Sequence, residues 1–144
     1  MIKFIPIGFL FISVILIYLS KDLLIIKFPK IIGSLIILIS LVFIILGILT
    51  LIINRTTIIP GNKPRKLVKD GIFKFVRNPI YLGDLLLIIG LSLFFQTLVG
   101  IFIFILFFFI LDKIVIPIEE RILEETFKNE YIEYKKNVKR WGIF

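Results

Sequence analysis

Apolar residues run almost without interruption through four stretches, Phe4 to Leu19, Ile31 to Ile53, Pro79 to Phe95 and Leu98 to Ile118, and the polar residues gather between and after them. Runs this uniform have no polar face to turn toward water, so each predicts a helix immersed in protein or lipid on all sides. At 1.5 Å per residue the second would extend about 35 Å, more than the ~30 Å hydrocarbon core of a bilayer. The first and third are shorter and lean on snorkelling ends such as Lys3, Lys21 and Arg77. Gln96 and Thr97 alone part the third run from the fourth, which predicts a tight helical hairpin with an uncharged tip. Asp84, Asp112 and Lys113 are the charges inside the runs, and Pro117 is expected to bend or end the fourth.

Beyond the last run the pattern changes. Ile118, Ile122, Leu123, Phe127, Tyr131, Tyr134, Val138 and Trp141 recur at helical spacing, with Lys128, Lys135, Lys136 and Lys139 on the remainder. This predicts an amphipathic tail helix over 119–141 that lies on the headgroup layer or under the bundle, opened by Glu119 and Glu120 and anchored by Trp141.

A 59% hydrophobic content and a mean hydropathy of +1.09 set the 144-residue chain apart from soluble domains. The fold class is therefore all-α, an integral membrane bundle of about four transmembrane helices with a C-terminal interfacial helix, all in one domain over 1–144. No small-residue cleavage site follows Leu19 and more spans come after it, so the first run reads as a helix rather than a cleavable signal peptide. The net charge of +8 sits in loops beside the spans, where it sets topology and meets anionic headgroups, and this excludes nucleic acid as a partner. Arg55, Lys63, Arg65, Lys66, Lys69, Lys74 and Arg77 crowd the loop 54–78, and the tail is equally basic. By the positive-inside rule the loop, the tail, both termini and any site near them are cytosolic, in the cell membrane if the cell is prokaryotic. Lys21, Lys27 and Lys30 in the first loop run against that rule.

With no Cys and no His, disulfides, thiolate nucleophiles, imidazole bases and the usual transition-metal ligands are absent, and no metal is expected. Chemistry is left to carboxylates, Arg, Lys, Tyr or a bound cofactor. The richest stretch is GIFKFVRNPIYLG, Gly71 to Gly83, where the basic loop meets the third run. Asn78 is a strong N-cap and Pro79 suits the first helical position, so the third helix starts here. Its free N–H groups and Arg77 offer a place for a carboxylate or phosphate; the same residues also serve if they merely cap a helix and hold Arg77 at the headgroups.

PRKLVKDGIFKFVRNPIYLGDLLLIIG followed by EERILEETFKNEYIEYKKNVKRW resembles the C-terminal half of the isoprenylcysteine carboxyl methyltransferase and phospholipid N-methyltransferase family of integral membrane enzymes. The resemblance covers Pro64 to Trp141, about half the chain, and joins two motifs in order around one hairpin. It implies S-adenosylmethionine as cofactor, and a lipophilic or prenyl-like methyl acceptor, carboxyl or amine, that enters from the bilayer among membrane lipids. It also implies cofactor contacts from Lys66, Leu67 and Val68, from Phe73, and from Asn78, Pro79, Ile80 and Tyr81. Glu119 would take the ammonium or ribose, with Glu120 as its partner, and Gly83 would let helices approach. No catalytic residue is named by the motifs; Arg77 and Asp84 are the candidates.

The chain departs from its relatives in two places. Asn78 stands where many have His, and Val115 stands where prenylcysteine-directed enzymes have an Arg four residues before the first glutamate, leaving Lys113 and Arg121 as the nearby cations. Asp84 reads equally as an early-helix acid near interfacial water and as a substrate-facing group that takes a proton from an amine. A carboxylate acceptor needs no base, so the absence of His leans toward a carboxylate. Two other functions are compatible with parts of the pattern. YLGD resembles the R-x-P-x-Y-x-G-[DE] motif of NADPH-dependent sterol reductases, and a small transporter or assembly protein would use Asp84 as its coupling acid. The acceptor's identity and the oligomeric state are open.

Overall fold

The computed structural model describes residues 4–23, 25–57, 59 and 62–142, and among them the architecture is helical. Helix α1 spans Ile5–Leu19, α2 Lys30–Ile53, α3 Pro79–Phe94, α4 Val99–Ile110, α5 Ile116–Phe127 and α6 Asn129–Asn137, with a short 3₁₀ turn at Gly71–Lys74. The first three apolar runs are α-helical close to their expected limits, and the fourth starts as a helix at Val99. By length and composition α2 and the continuous stretch Val99–Phe127 can cross a membrane, while α1 and α3 are apolar but shorter. Lys3, expected as a snorkelling end of the first run, lies outside the described residues.

The tightest packing joins antiparallel α2 and α3, and it depends on small residues spaced seven apart on α2. Gly33 meets Gly90 and the Phe94 backbone, the Ser40 hydroxyl donates to the Gly83 carbonyl at 2.9 Å, and Gly47 receives Ile80. Lipid gives apolar helices no hydrophobic reason to associate, so close backbone approach and buried hydrogen bonds must hold them. A Cβ on Gly33 would lie 2.6 Å from the Phe94 nitrogen and 2.9 Å from the Gly90 oxygen, backbone atoms that cannot swing aside. Gly33→Ala is therefore expected to cost about 1–3 kcal/mol, whereas Gly8→Ala, with nothing within 4 Å, should be neutral or slightly stabilising. Detergent denaturation midpoints of the two variants check this.

The rest of the bundle builds on α3. Phe9 of α1 stacks on Phe107 of α4 with ring centroids 4.6 Å apart, and Ile17, Leu85, Ile88, Phe107 and Leu111 form the core between α1, α3 and α4. The segment between α1 and α2 closes over the hairpin tip, where Gln96 donates to the Phe28 carbonyl and Thr97 to that of Leu23. Outward, Leu35, Leu38, Ile39, Val42, Ile45 and Leu49 of α2 are all exposed, a continuous apolar surface that soluble monomers avoid.

Two expectations about the C-terminal third are corrected, and of the two roles expected of Pro117, bending or ending the fourth helix, the second does not hold. Pro117 does not end the fourth helix: a π turn at Leu111–Val115 precedes it, in which the Ile116 N–H reaches the Leu111 carbonyl five residues back, and helix continues to Phe127. Proline lacks an N–H and crowds the turn before it, and the wider turn makes room for the ring there. The tail is not one helix over 119–141, because Lys128 adopts φ 49° and ψ −125°, which breaks it into α5 and α6, and Val138 is extended. Trp141 is not an interfacial anchor. It is buried against Phe108, ring centroids 5.4 Å apart, and its indole N–H donates to Asp112. The apolar periodicity is real, but the turned chain spends it on packing under the bundle.

Candidate active site

The start of α3, the loop before it and the first turns of α5 converge on one cavity of about 380 Å³, within the range of small-molecule sites. Every residue expected at the cofactor lines it. From the loop come Lys66 and the buried Leu67 and Val68, then Phe73 from the 3₁₀ turn; from the start of α3 come Asn78, Pro79, Ile80 and Tyr81; from α5 come Glu119 and Glu120. Arg77 and Asp84 line it as well. Lys113 and Arg121, the cations nearest the position of Val115, are exposed and are not among the lining residues.

Two acids, adjacent in sequence, take different roles because a helix turns them by 100° per residue. The Tyr81 hydroxyl donates to Glu119 Oε1 at 2.8 Å, which ties α3 to α5 across the cavity. Glu120 points into a cluster of cations. Arg77 Nη1 lies 2.9 Å from its Oε1, Arg140 Nη2 2.9 Å from its Oε2, and Lys135 Nζ 3.7 Å away. Arg140 also reaches Asp112 Oδ1 at 2.7 Å, and Lys113 Nζ lies 2.9 Å from Asp112 Oδ2, so the two charges near the end of the fourth run belong to a larger network. Burial works against the Arg140 charge, but hydrogen bonds to Glu120 and Asp112 outweigh it and raise its pKa above the ordinary arginine value.

Asn78 stands at the N-cap of α3, yet its side chain caps nothing. With φ −126° and ψ 62° the residue leaves its amide to the cavity wall, and Asn78 Nδ2 and Arg77 Nε are buried donors without a hydrogen-bond partner among the described residues. Buried donors in that condition are uncommon and costly. The Arg77 backbone is fixed independently, its N–H donating to the Lys139 carbonyl at 3.1 Å.

Sequence reasoning missed the roof. Tyr131 and Tyr134 of α6 line the cavity; Arg77 Nη1 donates to the Tyr131 hydroxyl at 3.5 Å, and the Tyr134 hydroxyl donates to the Phe73 carbonyl at 2.6 Å. Burial pushes both phenols above their ordinary pKa, so they remain donors at neutral pH. Their helical spacing was visible, but only the break at Lys128 turns them onto the loop. Away from the charged end the wall is apolar: Pro6, Ile7 and Leu10 of α1 and Ile44, Ile48 and Leu51 of α2.

A family model described as phospholipid methyltransferase matches residues 28–130. Over 74 residues, half of the chain, the sequence is 43% identical to the Protein-S-isoprenylcysteine O-methyltransferase of Saccharomyces cerevisiae, and the match spans 30% of that protein's length.

Proposed function

The chain belongs to the phospholipid methyltransferase family, and on that premise we propose that it is a membrane-bound, S-adenosylmethionine-dependent methyltransferase acting on a lipophilic acceptor. The observation that carries this reading is the meeting, in one cavity, of two donors that have no partner among the described residues, Arg77 Nε and Asn78 Nδ2, with the carboxylate of Glu119. S-adenosylmethionine supplies a methyl group activated on a sulfonium, and it carries a carboxylate and an ammonium on the same small molecule. The donor set fits these groups. Arg77 and Asn78 would take the carboxylate, where the N–H groups at the start of α3 add a partial positive charge. Glu119, held by Tyr81, would take the ammonium or a ribose hydroxyl.

Glu120 acts on the site through Arg77, which it holds in place. Phe73, Leu67 and Val68 cover the cavity with apolar surface, and water is kept from the reacting atoms. Displacement at a methyl group needs alignment more than acid or base chemistry, in keeping with a chain that has neither His nor Cys. The apolar wall between α1 and α2 suits an acceptor arriving sideways from the bilayer. We read all four apolar helices as spans, with the site on the cytosolic side, because the basic loop 54–78 and the basic tail both border the cavity. No observation favours a nicotinamide cofactor over this reading.

Isothermal titration of S-adenosylmethionine into the detergent-solubilised protein tests it. The parent should bind, and Glu119→Ala and Tyr81→Ala should each weaken binding at least about tenfold, the worth of one charge-assisted hydrogen bond, while remaining folded. Variants that bind as the parent does would mean the site is assigned to the wrong residues.

A further inference from the structure

Asp84 is used by nothing described so far. It is 7% exposed, lines the cavity, and among the described residues makes no hydrogen bond or ion pair. Lying six residues past Asn78, it is ~9 Å further along α3, beyond Tyr81 and away from the cations around Glu120. Its level in the bundle is set by Gly83, which packs on Ile44 of α2; Ile44 and Ile48 of α2 and Pro6, Ile7 and Leu10 of α1 line the same cavity, and Tyr81, one turn earlier on α3, is its polar neighbour. A buried carboxylate with no hydrogen-bond or ion-pair partner among the described residues suits a partner from outside.

Resting on the methyltransferase reading, we propose that Asp84 is the specificity-determining residue for the acceptor, and that it selects a lipophilic amine rather than a lipophilic carboxylate. A carboxylate entering the apolar arm would meet a like charge in a low dielectric; the cations that line the cavity, Lys66 and Arg77, belong to the loop before α3, and neither Lys113 nor Arg121 is among the lining residues. An ammonium head on an acyl or prenyl chain meets the opposite charge while its chain lies against α1 and α2. The absence of His, which leaned toward a carboxylate, is answered by Asp84 itself. The ammonium gives one proton to the Asp84 carboxylate, and the freed nitrogen lone pair forms the N–C bond as the S–C bond of the sulfonium breaks. The S–C electron pair stays on sulfur. The products are an N-methylammonium and a neutral thioether, and the proton on Asp84 returns to water through the cavity.

Three measurements on the full chain in non-ionic detergent decide the matter. Cofactor-free protein is titrated with dodecyltrimethylammonium, a permanent cation that cannot be methylated; the parent should bind it at least tenfold more tightly than Asp84→Asn. Both proteins are then titrated with S-adenosylmethionine and with S-adenosylhomocysteine, and the substitution should leave both affinities within about twofold. Finally, label from S-adenosylmethionine should pass to dodecylamine in preference to dodecanoate, and Asp84→Asn should lose at least tenfold in kcat/KM for the amine. Equal binding of the ammonium probe, preference for dodecanoate, or transfer to neither overturns the inference. So does a variant that loses S-adenosylmethionine but keeps S-adenosylhomocysteine, since Asp84 would then face the sulfonium. A parent that binds neither cofactor form fails the methyltransferase reading itself, a separate result.

Discussion

Replacing Glu120 with alanine is expected to cost about 3–5 kcal/mol of stability, the usual result of removing one partner from a buried ion pair. The side chains of Glu120 and Arg77 are each only 10% exposed, and that of Arg140 is 23% exposed. Without Glu120, Arg140 keeps Asp112, but among the described residues the Arg77 side chain retains only the long 3.5 Å contact to the Tyr131 hydroxyl. The cost is therefore the stranding of Arg77 more than the loss of attraction. The double variant Glu120→Ala with Arg77→Met should recover a large part of it, because no unpaired charge is left inside. Denaturation midpoints of the parent, both single variants and the double variant in one detergent close the cycle. A loss under about 1 kcal/mol for Glu120→Ala, the range of exposed pairs, would show that water reaches the cluster.

The parts of this structure that were legible in the sequence are those set by local rules. Apolar runs without a polar face marked four helices, although the end of the fourth, where Pro117 follows a π turn, was not legible, and the Asn78-Pro79 pair marked the start of α3 within the chain's own chemistry. The convergence of Tyr81 and Glu119, now seen as a 2.8 Å hydrogen bond, was legible only through the family resemblance, which implied that the two motifs around the hairpin share one pocket. The tail was misread where long-range contacts overrode periodicity. Trp141 has the composition of a headgroup anchor, yet Phe108 and Asp112 claim it from within the bundle. Lys128 takes a positive φ that no rule of spacing requires of a lysine, and that backbone turn places Tyr131 and Tyr134 over the cavity. The partition of Glu119 and Glu120 was hidden for a related reason: which acid meets the cations depends on Arg140, twenty residues away and fixed by the docked tail.

Arg77→Met should separate binding from folding, the reverse of the Glu120 result. Glu120 would keep Arg140 at 2.9 Å and Lys135 at 3.7 Å, so no buried carboxylate is stranded, and methionine fills most of the volume left by the guanidinium stem. What disappears is the Nε donor beside Asn78. If that donor holds the cofactor's carboxylate, its loss is worth about 1.5–3 kcal/mol, roughly 10–150-fold in affinity. The comparison that places the contact at the amino-acid end is S-adenosylhomocysteine against 5′-methylthioadenosine, which has the same nucleoside and thioether but lacks the carboxylate and the ammonium together; Glu119, assigned to the ammonium, is unchanged in this variant. The parent should prefer S-adenosylhomocysteine, and the variant should lose that preference by weakening for the carboxylate ligand alone. Were both ligands to weaken equally, Arg77 would be shaping the cavity rather than reading an anion, and the carboxylate would have to be sought at the N–H groups of α3 with Asn78.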